Sequence, residues 1–128
     1  MYSMNNAAAQ YKRINTEGAL NATPHQLIQM LMNGALDRLI QAKAAMERGD
    51  TALKGQLIGK ATDILSGLQS SLDPKHSPDL VDKLNALYDY MQRRLFEANI
   101  KNDPGIIDEV SDLLRTVKSS WDEIAPVV

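Results

Sequence analysis

The sequence predicts an all-α protein: an antiparallel up-down-up-down four-helix bundle preceded by an N-terminal arm. Three observations point there. Apolar residues recur at 3.6-residue spacing through four long segments. Three of those segments open on a capping residue followed by proline, at Thr23-Pro24, Ser77-Pro78 and Asp103-Pro104. Period-2 alternation is absent and β-branched residues are scattered, so nothing favours strands.

The first helix is expected over 24–48. Thr23 caps it, Pro24 takes the first helical position and Gln26 completes a capping box. Its stripe is Leu27, Ile28, Leu31, Met32, Ala35, Leu39, Ala42 and Met46. Gly49 closes it and Asp50 caps the next. The second helix, 51–72, lines one side with Leu53, Leu57, Ala61, Ile64, Leu65, Leu68 and Leu72, and turns Gln56, Asp63, Ser66 and Ser70 outward. A loop at 73–77 leads to the third, 78–101, striped by Leu80, Leu84, Leu87, Tyr88, Met91, Leu95 and Ala98. The fourth, 104–124, carries Ile106, Val110, Leu113, Leu114, Val117, Trp121 and Ile124, and Ala125-Pro126 ends it. Helices of this size are each about 31–38 Å long. Short connections make neighbours antiparallel, and four buried stripes close a bundle.

Residues 1–22 lack a long stripe. Ala7, Tyr11 and Ile14 fall at i, i+4 and i+7, so the arm can form a short, weakly docked helix held by what it packs against. The chain thus divides into an arm, 1–22, and a bundle, 23–128.

Composition excludes several functions. The 128 residues suit one domain with a hydrophobic core, and the net charge of -2 gives no pull toward nucleic acid or acidic lipid. There is no cysteine, hence no disulfide, thiol catalysis or cysteine metal site. The start lacks a secretory pattern and no stretch approaches a membrane span, so the expected compartment is the cytoplasm. His25 and His76 have no partner at ligand spacing and read as a solvated cap and a loop residue. No serine sits in a glycine elbow, glycines are isolated, and Asp108-Glu109 and Asp122-Glu123 read as solvated surface. Neither catalysis, cofactor nor metal is expected. Aromatics do not interleave with the basic pairs Lys12-Arg13 and Arg93-Arg94, which argues against a nucleic-acid platform.

The informative residues are apolar ones that leave the stripes. Phe96 and Ile100 are i, i+4 partners off the main face of the third helix, and Tyr90 projects to its opposite flank. Met30 and Ile40 leave the face of the first helix, and Ile58 lies at the edge of the second. Singly, such residues need no explanation, because loops or the arm cover some and others simply face water. Together they point to surface grooves for an amphipathic partner helix, and six methionines suit a surface that repacks. Tyr11 and Ile14 could fold over such a groove when it is empty.

The residues also resemble a known family. Met1-Tyr2, Tyr11, the run from Pro24 to Leu31, Gly34-Ala35, Glu47, Gly49-Asp50, Lys54-Gly55, Lys60-Ala61 and Ser71-Leu72-Asp73 match in order. So do Leu87-Tyr88-Asp89-Tyr90-Met91, Arg93-Arg94-Leu95, Ala98-Asn99, Asn102-Asp103, Glu109-Val110, Leu113-Leu114 and Trp121. This ordered set is similar to the flagellin export chaperone family FliS. The resemblance implies a small cytoplasmic four-helix chaperone of bacterial flagellar assembly. It implies binding to the disordered C-terminal segment of flagellin, prevention of premature polymerisation and delivery to the flagellar type III export gate. It further implies an N-terminal segment that lies over an apolar groove and is displaced by the client, with Tyr11 part of it. The chain departs from the family in the 73–78 loop, where two prolines replace the usual glycines and stiffen the turn. The expected client-contacting residues are Tyr11, Ile14, Met30, Ile40, Ile58, Tyr90, Phe96 and Ile100. The rival is a structural bundle that self-associates, as a homodimer for instance, through the same patches.

Overall fold

A computed structural model describes Tyr2 and residues 21–75 and 77–124. Among the described residues the fold has four helices: α1 (Pro24–Glu47), α2 (Thr51–Ser70), α3 (Pro78–Lys101) and α4 (Pro104–Glu123). Each lies within two residues of its expected bounds. The arm's expected helix, with Tyr11 and Ile14, lies outside the described residues, as do His76 and Ala125-Pro126.

The boundaries follow from the local chemistry. Thr23 Oγ1 accepts from Gln26 N at 3.1 Å and Gln26 Oε1 accepts from Thr23 N at 3.0 Å, a complete capping box. Asp50 Oδ1 accepts from Leu53 N at 3.2 Å, and Asp103 Oδ1 from Gly105 N at 2.9 Å. Ser77 makes no side-chain cap, so α3 starts on its proline and on the backbone bond from Val81 N to Ser77 O, 2.9 Å. Gly49 turns the chain out of α1 at φ 78°, and Asn102 ends α3 at φ 51°.

Cross-helix bonds fix the topology. The start of α1 meets the end of α4 through His25 and Trp121, and farther along α1 Lys43 pairs with Asp108 near the start of α4 at 2.9 Å. The start of α2 meets the end of α3 through Lys54 and Asn99, while Gln69 near the end of α2 bonds Asn85 on α3. α1 and α4 are therefore antiparallel, as are α2 and α3, and the short connections at 48–50 and 102–103 turn the chain back between the other neighbours. Packing joins α1 to α2 and α4, and α3 to α2 and α4, which is the square of an up-down-up-down bundle.

The core holds nearly every stripe residue of α1 and α2, with Tyr88, Met91, Leu95 and Ala98 from α3 and Ile106, Val110 and Leu114 from α4. Leu36, Ala45, Ile58 and Ile107 join it from outside the expected stripes, because each helix faces two neighbours and buries a wider arc than one stripe. Leu80 and Ile124 were expected inside and are exposed instead, 44% and 45%. They lie at the ends of their helices and line an apolar hollow with Leu84, Val117 and Trp121. Among the described residues no helix is long and apolar enough to cross a membrane.

Candidate functional site

The seam between α2 and α3 changes character along its length. Toward the end of α2 it is closed by carboxamides. Gln69 Nε2 donates to Asn85 Oδ1 at 2.8 Å and to Asp89 Oδ1 at 2.7 Å, and Gln92 Nε2 donates to Gln69 Oε1 at 2.8 Å. Toward the start of α2 it opens into a groove of about 220 Å³ lined by Gly55, Ile58, Gly59, Gln92, Phe96 and Asn99. A methyl group placed on Gly55 or Gly59 would meet no atom within 4 Å. Mid-helix glycine costs about 1 kcal/mol relative to alanine, so these two lower helix stability without any packing need inside this chain. What they provide is depth.

Phe96 stands on the α3 side with 69% of its surface exposed, and Ile100, one turn on, with 65%. Ile58 is 4% exposed and belongs to the core while also flooring the groove. The structure thus brings Ile58 and Phe96 together, with Ile100 beside them. It does not bring the other expected residues there. Ile40 is exposed on α1, away from the groove. Met30 is half-buried against the core beside a separate polar hollow formed by Asn21, Gln26, Gln29 and Asn33. Tyr90 is half-buried on the α3–α4 side, where its hydroxyl donates to Glu109 Oε2 at 2.6 Å. Tyr11 and Ile14 lie outside the described residues.

Beside the groove, Lys54 is buried on α2, and its ammonium donates to Asn99 O at 3.0 Å and to Asn102 Oδ1. No carboxylate pairs with it among the described residues. Glu109 stays at the surface as expected, partly exposed, but it is bonded across the α3–α4 seam. Tyr90 and Arg94 Nε, at 2.8 Å, both donate to it, and these bonds hold its carboxyl below the usual range. Arg94 also pairs with Glu97, and Lys101 reaches Glu97 at 2.6 Å, both within α3, so only the Tyr90 and Arg94 bonds to Glu109 join α3 to α4 in this network.

The far end of the bundle carries an aromatic cluster. His25 is buried, not solvated as expected, and stacks on Trp121 with ring centroids 4.8 Å apart. Its Nε2 lies 2.7 Å from Trp121 O; a carbonyl only accepts, so Nε2 carries the proton. Trp121 Nε1 returns a bond to His25 O at 3.1 Å. Tyr2 meets Trp121 edge-on at 5.3 Å, pairs its backbone with Leu72 and shares a hydroxyl–hydroxyl bond with buried Tyr88. Burial is the main reason both phenols titrate high, Tyr88 at about 12. An apolar hollow of about 210 Å³, lined by Tyr2, Leu80, Leu84, Val117, Trp121 and Ile124, lies beside them.

Among the described residues no three His, Asp or Glu side chains cluster to hold a metal. The family model "Flagellar protein FliS" matches residues 4–128. The chain belongs to the FliS family. Similar proteins include the Pseudomonas aeruginosa flagellar secretion chaperone FliSB, 49% identical over 98% of this chain and 99% of that protein. The Vibrio cholerae flagellar secretion chaperone FliS is 43% identical over 96% of this chain and 91% of its own length. The Salmonella typhimurium flagellar secretion chaperone FliS is 40% identical over 98% and 94%. In this FliS chain the block from Leu87 to Asn102 supplies core, groove wall and helix end at once, which is why its aromatic residues fit no single stripe.

Among the parts that shape the FliS groove, Gly59 went unremarked in the sequence, and Lys54-Gly55 counted only toward the family resemblance, with no role in a groove. A signal for Lys54 was present. It stands three, four and seven residues before Leu57, Ile58 and Ala61, on the face that α2 buries.

Proposed function

We propose that this chain is a cytoplasmic flagellar export chaperone. It binds the disordered C-terminal segment of flagellin, keeps it from polymerising early and hands it to the flagellar type III export apparatus. The relatives named as flagellar secretion chaperones support the general activity. The observation that carries the binding surface is the exposed pair Phe96 and Ile100 beside a groove floored by Ile58 and deepened by Gly55 and Gly59. A large apolar patch rimmed by polar side chains suits an amphipathic helix laid along it. A segment that would otherwise pair with copies of itself finds a substitute partner there, and the exchange needs no nucleotide. Ordering the segment costs several kcal/mol, which a long contact offsets while leaving the complex reversible.

Calorimetry with a peptide of the flagellin C-terminal segment tests this. Phe96→Asp and Ile100→Asp, each verified as folded, weaken binding by at least about tenfold, since each loses roughly 1.5–3 kcal/mol of apolar burial. Unchanged affinity in both would remove the groove from the client's path. The same exposed pair supports the rival reading, self-association. A dimer that persists across a light-scattering concentration series and ignores the peptide would favour it.

A further inference from the structure

Lys54 is an unusual choice for its position. It is 4% exposed, it lies on the buried face of α2, and no carboxylate among the described residues neutralises it. An apolar side chain of similar length would fill the same volume without desolvating a charge, and exchanges of that kind are often neutral or stabilising. Stability alone does not account for a lysine here. What the ammonium does, and a methionine cannot, is bind the end of α3.

That end is built around it. Asn102 sits in the left-handed region, and the backbone N–H groups of Asn102 and Asp103 both go to Ala98 O. The next carbonyl, Asn99 O, takes its bond from Lys54 Nζ at 3.0 Å, and the Asn102 side chain accepts a second. A cation at a helix C-terminus is also favoured by the helix dipole. Asn99 is itself a wall of the groove, and Gly55, the residue after Lys54, is part of the opposite wall. One side chain therefore ties the two walls together where the groove opens, in the turn that carries Phe96 and Ile100.

We propose that Lys54 is a positioning residue for client binding: its bonds to Asn99 and Asn102 hold the last turn of α3 in the shape that receives the client helix. The proposal rests on the reading that this groove takes the flagellin segment. A wall already ordered in the free protein spares the client the cost of ordering it, and that saving appears as affinity.

The test is a double-mutant cycle on the full chain with the flagellin C-terminal peptide as probe. Lys54→Met keeps the buried stem and removes the donors. Asn102→Gly keeps the left-handed turn, which glycine adopts freely, and removes the acceptor. Lys54→Met is expected to weaken binding about tenfold, or about 1.4 kcal/mol. Asn102→Gly weakens it less, and the double variant is no weaker than Lys54→Met alone. Amide exchange at residues 98–102 accelerates in the free Lys54→Met chain and slows again when peptide is bound. A lowered melting temperature with unchanged affinity, measured well below the transition, overturns the proposal and makes Lys54 a residue of stability only. Additive losses in the cycle overturn it too. If Lys54→Met does not fold, Asn102→Gly decides by the same two readouts. A native chain that does not bind the peptide overturns this proposal together with the reading beneath it, whereas native binding with unaffected variants overturns this proposal alone.

Discussion

At the scale of single residues, polar groups inside the bundle behave unlike their free counterparts. The Tyr88 hydroxyl is buried and keeps its proton up to about 12, against an ordinary value of 10.0, while Tyr2 is raised further. An unfolded chain gives up these protons first. Their contribution to stability is therefore fully present below about pH 10 and is lost as pH climbs toward 12, at up to about 1.4 kcal/mol per pH unit for each group. Urea unfolding midpoints should stay level to about pH 9 and then fall, and Tyr88→Phe should flatten the fall without abolishing it, because Tyr2 remains. An equally steep fall in Tyr88→Phe would place the alkaline sensitivity elsewhere. Residue identities of this kind were only half legible in the sequence. Leu27, Leu31 and Leu39 announce their burial by type and spacing. His25 does not, because its type is at home in water and only a partner from another helix, Trp121, brings it in.

At the scale of elements, the helix ends were the clearest part of the sequence, since Thr23, Asp50 and Asp103 act on backbone atoms within three residues. The groove was harder to see. Its depth comes from side chains that are missing, and glycine in a helix leaves no hydrophobic mark. That origin gives an unusual prediction for α2. Gly55→Ala and Gly59→Ala should each raise stability by roughly 0.5–1 kcal/mol, read as a higher melting temperature, because helix propensity improves and nothing obstructs the methyl. The same substitutions should weaken peptide binding, since the methyl occupies space that the proposed client would fill. Stabilisation with undiminished affinity would show that the client does not lie against α2. Gly49→Ala should act in the opposite direction on stability, because its φ of 78° disfavours any side chain.

At the scale of the whole molecule, the four-helix architecture was readable because local periodicity, caps and short loops all agreed. The pairing of particular faces was not, since an up-down-up-down bundle lets each helix bury two flanks and the sequence marks only their sum. Leu80 and Ile124 show the consequence: both continue a stripe and yet stay exposed at the ends of their helices. Two predictions belong here. A peptide that binds only the folded chain should raise the unfolding free energy by about 2.7 kcal/mol when supplied at 100 times its Kd. If the arm with Tyr11 and Ile14 competes for the client surface, deleting residues 1–16 should change peptide affinity, and equal affinity in both chains would remove the arm from the competition.

The chain has a single tryptophan, and the bundle places it at the end away from the α2–α3 groove. Trp121 touches the imidazole of His25 on one side and the edge of Tyr2 on another. The molecule therefore carries its own optical reporter, uncontaminated by a second indole. Light absorbed only by Trp121 reads the state of the Tyr2 end, its wavelength maximum following hydration and its intensity the stacked imidazole. Occupation of the groove by a tryptophan-free peptide should leave that emission nearly still, while detachment of Tyr2 should shift it. A single cuvette thus separates events at the two ends of the bundle without any label attached.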